Sequence, residues 1–313
     1  MQKYENFASE IQNALTSEPI NTSYLINIIK QTNNFERQLI RENYFKLTNI
    51  ELIEDLKSLR QIEGKSFECL FIGLFRTPTE YDVYEIFEAV DGIGTIEDIL
   101  SEILGTRDSH RIQEIKKFYS ILFSRDLEEV LNEEGLPKDY LNFLQKILMK
   151  NEKNENSTKS NSDKILSDFD LKNLNSQNLK KEKKMEIFSK ILYIENSNSD
   201  NKKNCEILRK FIEKEFQNEK KNPLRNLLIY TLNAQSDFIR FYAERLFNAL
   251  KAEKKDNKII MRTMLSIYPR HLTEFQTLLK REFKINLKDL ISQNATGLFK
   301  DLLLQVADSD NYA

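Results

Sequence analysis

Val90-Asp91-Gly92-Ile93-Gly94-Thr95 separates two runs of apolar residues spaced three and four apart. Upstream stand Val83, Ile86, Phe87 and Val90; downstream stand Ile96, Ile99, Leu100, Ile103 and Leu104. Such spacing marks two amphipathic helices, each turning one apolar stripe toward a core. Further along come a third stripe, Ile112, Ile115, Phe118, Tyr119 and Leu122, and a short fourth, Leu127, Val130 and Leu131, within 126–132. A fifth, Tyr140, Leu141, Leu144, Ile147 and Leu148, follows the stop signal Gly135-Leu136-Pro137. Residues 78–150 therefore read as one unit of five short helices. Thr95 with Asp98 predicts a capping box at the start of the second helix.

The unit recurs. A shift of 75 positions lays Leu25, Ile29, Ile40, Tyr44, Leu52 and Leu56 over Leu100, Leu104, Ile115, Tyr119, Leu127 and Leu131. A shift of 160 lays Ile259, Ile260, Met264, Leu287 and Ile291 over Ile99, Leu100, Leu104, Leu127 and Leu131. Residues 164–235 carry fainter apolar helices: Ile187, Phe188, Ile191 and Leu192; Ile207, Leu208, Phe211 and Ile212; Leu224, Leu227 and Leu228. Each such unit buries its face against neighbours. The expected organisation is all-helical, with repeats at 1–77, 78–150, 164–235 and 236–313 and a polar linker at 151–163. A second polar patch, Asn196 to Asn204, reads as a loop inside the third repeat.

Composition narrows the function. With 31% charged residues but a net charge of −2, the chain offers no strong global field toward nucleic acid. Cys69 and Cys205 are too few for a disulfide framework and fit a reducing, cytoplasmic compartment. His110 and His271 have no partner at zinc-ligand spacing. Met1-Gln2-Lys3-Tyr4 lacks the apolar core of a signal peptide, and only about four to six residues are expected before the first helix. The longest apolar run, Cys69 to Phe75, is too short to span a bilayer, so membrane contact is expected to be peripheral. No nucleophile, base and orienting group assemble at recognisable spacing, and no phosphate loop occurs, so the reading is non-enzymatic.

The chemistry concentrates at the glycine turn. Two glycines let a tight turn aim several carbonyls at one point without side-chain clashes, which suits a hard cation that wants six to eight oxygens. Glu134, forty positions after Gly94, stands at the end of the short fourth helix and would complete the shell with a bidentate carboxylate. The candidate ligands are the carbonyls of Val90, Gly92 and Gly94 and the side chain of Glu134, with Glu133 as the neighbouring alternative. One formal charge makes calcium affinity weak, toward the millimolar end. A lipid phosphate can fill the open positions, coupling ion and membrane reciprocally.

Gly92-Ile93-Gly94-Thr95, then Ile103-Leu104-Gly105-Thr106-Arg107, Ile115-Lys116-Lys117-Phe118-Tyr119, Arg125-Asp126-Leu127 and Glu134 resemble, in order, the second repeat of an annexin. Tyr242-Ala243-Glu244-Arg245-Leu246-Phe247-Asn248-Ala249-Leu250-Lys251 and Ala295-Thr296-Gly297 to Leu304 resemble the fourth. The resemblance implies an annexin-like array of four five-helix repeats forming a slightly curved disc. It also implies calcium-dependent binding to anionic phospholipid, with the calcium loops on the convex face.

The departures point the other way. The first-repeat loop, Thr16-Ser17-Glu18-Pro19-Ile20, has no glycine pair, and Leu59 holds the acidic position. The fourth-repeat loop is Ala252-Glu253-Lys254-Lys255-Asp256 with Asn294 at that position, and the third repeat has no glycine. One remaining site gives little avidity. Either the protein self-associates on the membrane or other contacts carry binding: Ile93, Lys251, Lys254 and Lys255 are the candidate membrane contacts, at about 1 kcal/mol per basic residue. The alternative reading is a calcium-independent helical scaffold for protein or cytoskeletal partners, its site vestigial. Arg107, His110 and Cys69 read as structural.

Overall fold

The computed structural model describes residues 2–92, 94–150, 180–193, 199–219 and 221–308. Among these there are helices and turns and no strand, as the all-helical reading requires. The linker at 151–163 and Ile93 lie outside the described residues.

The chain forms two compact units, Met1–Tyr81 with Tyr242–Ala313, and Asp82–Phe241. In the first, α1 (Gln2–Thr16), α2 (Thr22–Gln31), α3 (Asn34–Thr48), α4 (Leu52–Leu56), α5 (Arg60–Glu63) and α6 (Lys65–Phe75) are followed, much later in the chain, by Asn257–Ile267, Leu272–Leu278, Leu287–Asn294 and Gly297–Ala307. The first helix starts at Gln2, so the lead-in residues expected before it are helical. Phe67, Phe71 and Phe75 form an aromatic ladder along α6, with centroids 5.9 and 5.4 Å apart. Arg37 is fully buried, giving its Nε to Leu74 O at 2.8 Å.

The second unit begins within α7 (Pro78–Val90) and continues through α8 (Glu97–Thr106), α9 (Ser109–Phe123), α10 (Leu127–Glu133) and α11 (Lys138–Leu148). These are the five stripes read from the sequence. Thr77 and Glu80 exchange hydrogen bonds across the start of α7, and Pro78 stands at its first position. Lys181–Lys190, Ser199–Glu215 and the start of Pro223–Lys251 complete the unit; the last helix breaks at Asp237 (φ −162°, ψ 90°), whose Oδ1 accepts from Arg240 N.

All twelve residues of the 75-position register are buried. In the 160-position register Ile260, Met264, Leu287 and Ile291 are buried, while Ile259 is only half-buried. Phe118, Leu122, Ile96 and Ile207 leave their expected core positions and are 38 to 44% exposed. On α9 the buried line is Ile112, Ile115 and Tyr119, and Phe118 and Leu122 lie together on one flank of it.

Two expectations fail. Residues 199–204 are not a loop but the opening of Ser199–Glu215, because no Gly or Pro stops the helix and Cys205, Leu208 and Ile212 give it a buried stripe at helical spacing. Asn196 to Asn198 lie outside the described residues. The Thr95–Asp98 capping box is also absent: α8 starts at Glu97 with Ile96 at the cap and no side-chain capping bond. Both polar side chains have better partners, Thr95 on Glu134 and Asp98 on Tyr230 Oη at 2.6 Å.

Candidate metal site at the glycine turn

Both ends of the turn are pinned by the backbone. Asp91 N–H donates to Phe87 O at 2.8 Å, and Ile96 N–H donates to Ala89 O at 2.9 Å. Between these ties Gly92 has φ +130° and Gly94 φ +86°, both in the region that favours glycine. A Cβ on either would meet nothing within 4 Å, so the approach to the turn is open.

Across 39 positions, Thr95 Oγ1 donates to Glu134 Oε2 at 2.6 Å. The carboxylate is thereby held beside the turn. Its approach is set by the short helix α10: Asp126 Oδ1 accepts from Glu128 and Glu129 N–H, and Glu134 is the C-terminal cap. Arg125 takes the carboxylate of Glu133 in an ion pair, which separates the two adjacent glutamates and leaves Glu134 as the one on the turn. Burial raises the Tyr119 hydroxyl pKa; Arg125 opposes that, and Glu134 and Asp91 add to it, so the four groups share one electrostatic neighbourhood.

The donor set can be tested against calcium. Among the described residues no three His, Cys, Asp or Glu side chains gather as a metal cluster. Any cation here would therefore rest mainly on backbone carbonyls and one carboxylate. Those are hard oxygen donors on a clear, glycine-lined approach, and they fit a hard, flexible cation such as calcium better than a thiolate- or imidazole-seeking metal.

The other expected contacts are dispersed. Lys251, the last residue of Pro223–Lys251, and Lys254 and Lys255 on the segment after it are exposed. In the first unit Leu59, in register with Glu134, is fully buried, so a core contact has replaced the acceptor. Sequence reading missed the bond of Thr95 to Glu134, although a hydroxyl beside the glycine pair and an acid 39 positions on were visible signals.

A family model described as Annexin matches residues 81–136, the span that holds the turn, Thr95 and Glu134. Annexin A4 of Bos taurus is 25% identical over 310 residues, covering 97% of this chain and 94% of its own length. The chain is similar to annexins along nearly its whole length. Annexin A11 of Homo sapiens is also 25% identical, over 301 residues and 92% of this chain; the chain spans 56% of that relative's length. In three dimensions annexin III superposes with a TM-score of 0.77 at 24% identity, covering 98% of this chain and 94% of its own. Calcium-dependent phospholipid binding is the general property of annexins. Among the described residues no helix of this chain is long and apolar enough to cross a membrane.

Proposed function

We propose that this annexin-like chain binds anionic phospholipid membranes peripherally and calcium-dependently, without catalysis, through one site in its second repeat. The repeats we assign are 1–77, 78–150, 164–235 and 236–313, with 151–163 as a linker, and the compartment is the cytoplasm. The observation that carries the reading is the Thr95–Glu134 hydrogen bond, which holds a lone carboxylate beside an open turn of two positive-φ glycines.

The proposed ligands are the carbonyls of Val90, Gly92 and Gly94 and the carboxylate of Glu134. Bound calcium supplies positive charge in excess of that carboxylate, and so an attraction for a lipid phosphate. The residues do the rest. Gly92 and Gly94 keep the approach clear of side chains. Thr95 orients the carboxylate before any cation arrives, and the Arg125 pair keeps Glu133 from competing for the same space. A single carboxylate keeps intrinsic affinity weak, so occupancy depends on membrane and cation reinforcing each other.

Co-sedimentation with phosphatidylserine-containing vesicles, with and without millimolar calcium, tests this. Wild type should gain binding with calcium, and Glu134→Gln should lose that gain, with at least a tenfold rise in the calcium needed. Equal, calcium-insensitive binding by both proteins would overturn the proposal. A second reading, a calcium-independent scaffold for protein partners, is favoured by one observation: a buried Leu59 and an amide, Asn294, stand where acids are expected. A partner retained in calcium chelator, with no vesicle binding under any condition, would favour it.

A further inference from the structure

The fourth-repeat loop keeps a junction that its composition hides. A shift of 160 positions carries Thr95 onto Lys255 and Glu134 onto Asn294. Lys255 Nζ donates to Asn294 O, across the same 39 positions that separate Thr95 from Glu134. Loop and helix end are thus tied in both places, but with opposite charge. At the glycine turn a neutral hydroxyl meets a carboxylate; here an ammonium meets a neutral carbonyl. Lys255 meets the backbone carbonyl of Asn294, while the side-chain Nδ2 of Asn294 donates back to Leu290 O.

The surroundings keep the sign positive. Lys251, Lys254 and Lys255 are all exposed. The segment's two acids, Glu253 and Asp256, are outnumbered by Lys251, Lys254, Lys255 and Lys258, and Asp256 is turned to the next helix, where it accepts from Lys258 and Ile259 N–H. Ala252 and Lys254 replace the two glycines, so the carbonyl cradle is not rebuilt.

We infer that this loop is a calcium-independent docking surface for anionic phospholipid headgroups, with Lys255 fixed by the Asn294 carbonyl and Lys251 and Lys254 beside it. The chain's own ammonium supplies at this junction the positive charge that a bound cation would supply at the glycine turn. Headgroup phosphates match an exposed row of lysines better than a protein surface does, because lysine is a point charge that demands no fixed geometry from its partner. The inference shares its membrane partner with the proposed function but does not need its calcium.

The test is co-sedimentation with phosphatidylserine vesicles in calcium chelator, at low and high salt, against vesicles of phosphatidylcholine alone. Wild type should bind the anionic vesicles at low salt, lose them at high salt and ignore the neutral ones. Lys251→Ala, Lys254→Ala and Lys255→Ala combined should lower the partition coefficient roughly 100-fold. Asn294→Glu, which keeps every lysine and sets a carboxylate beside Lys255, should lower it severalfold. Glu134→Gln should bind in chelator like wild type, so failure of the calcium site and failure of this loop are read separately. Circular dichroism confirms that each variant is folded. Absent wild-type binding in chelator, or wild-type binding by the folded triple-lysine variant, would overturn the inference.

Discussion

At the scale of single residues, one buried aspartate of the second unit gathers two guanidiniums. Asp82 is 1% exposed and receives Arg107 Nη2 at 2.8 Å and Arg111 Nε at 3.2 Å. Burial alone would raise its carboxyl pKa, but the two guanidiniums hold it below the ordinary carboxylate value. A depressed folded-state pKa gives stability that is present above the unfolded value, about 3.9, and is lost as pH falls through the folded one. Asp82→Ala should cost about 3–5 kcal/mol at pH 7, because it removes a buried carboxylate that two guanidiniums share. In thermal melts the gap to wild type should narrow below about pH 4; a gap unchanged there would refute the role. Arg107 was legible as structural. Its partner, 25 positions upstream, was not, because a lone aspartate in an amphipathic helix carries no local sign of being buried. The same holds for Thr95: the residue stood out, but local rules assigned it to a cap, and a contact 39 positions away took precedence.

At the scale of elements, the repeat is written in backbone geometry as well as in apolar spacing. The residues that end the third helix of three repeats, Asn49, Ser124 and Lys284, all have positive φ, at 57°, 54° and 56°. Two of these lie in the first unit and one in the second, in the register of 75 and 160. The caps of the following short helices, Glu51, Asp126 and Asn286, fall in the same register and each accepts a helix N–H. Apolar spacing revealed the helices of 78–150 because few breakers and strong stripes leave one solution. It misread 196–204, where polar residues continue into a helix whose stripe starts only at Cys205. Helix contact inside the second unit is close enough to require glycine: a Cβ on Gly105 of α8 would lie 2.8 Å from Thr231 Oγ1 and 3.1 Å from Leu227 Cδ1. Gly105→Ala gains roughly 1 kcal/mol of helix propensity but overpacks a buried contact at about 1–3 kcal/mol. We expect net destabilisation, read as a lower urea midpoint; a raised midpoint would show that the contact relaxes freely.

At the scale of the whole molecule, one proposed calcium site in four repeats limits what cation binding can do. Avidity from several sites on one chain is not available, so calcium titration of vesicle binding at low protein density should follow a simple saturation curve with a Hill coefficient near 1. Steeper curves would point to assembly on the membrane. Dilution of protein on the vesicle surface distinguishes the two, because only assembly weakens with dilution. The departure of the other loops from the glycine pattern was legible from their composition, since Leu59 and Asn294 are plain in the sequence. What stands in its place was not: a buried leucine in one repeat and a lysine tied to the helix end in another emerge only when loop and helix are brought together.

The central claim is that the glycine turn and Glu134 hold one cation between them. A crystal structure grown in millimolar calcium tests it most directly. It should show a single ion at about 2.3–2.6 Å from the carbonyl oxygens of Val90, Gly92 and Gly94 and from the Glu134 carboxylate. The Thr95 hydroxyl should be released from Glu134 or shared with the ion's shell. A turn without an ion while Glu134 stays bonded to Thr95, or an ion bound elsewhere, would contradict the account.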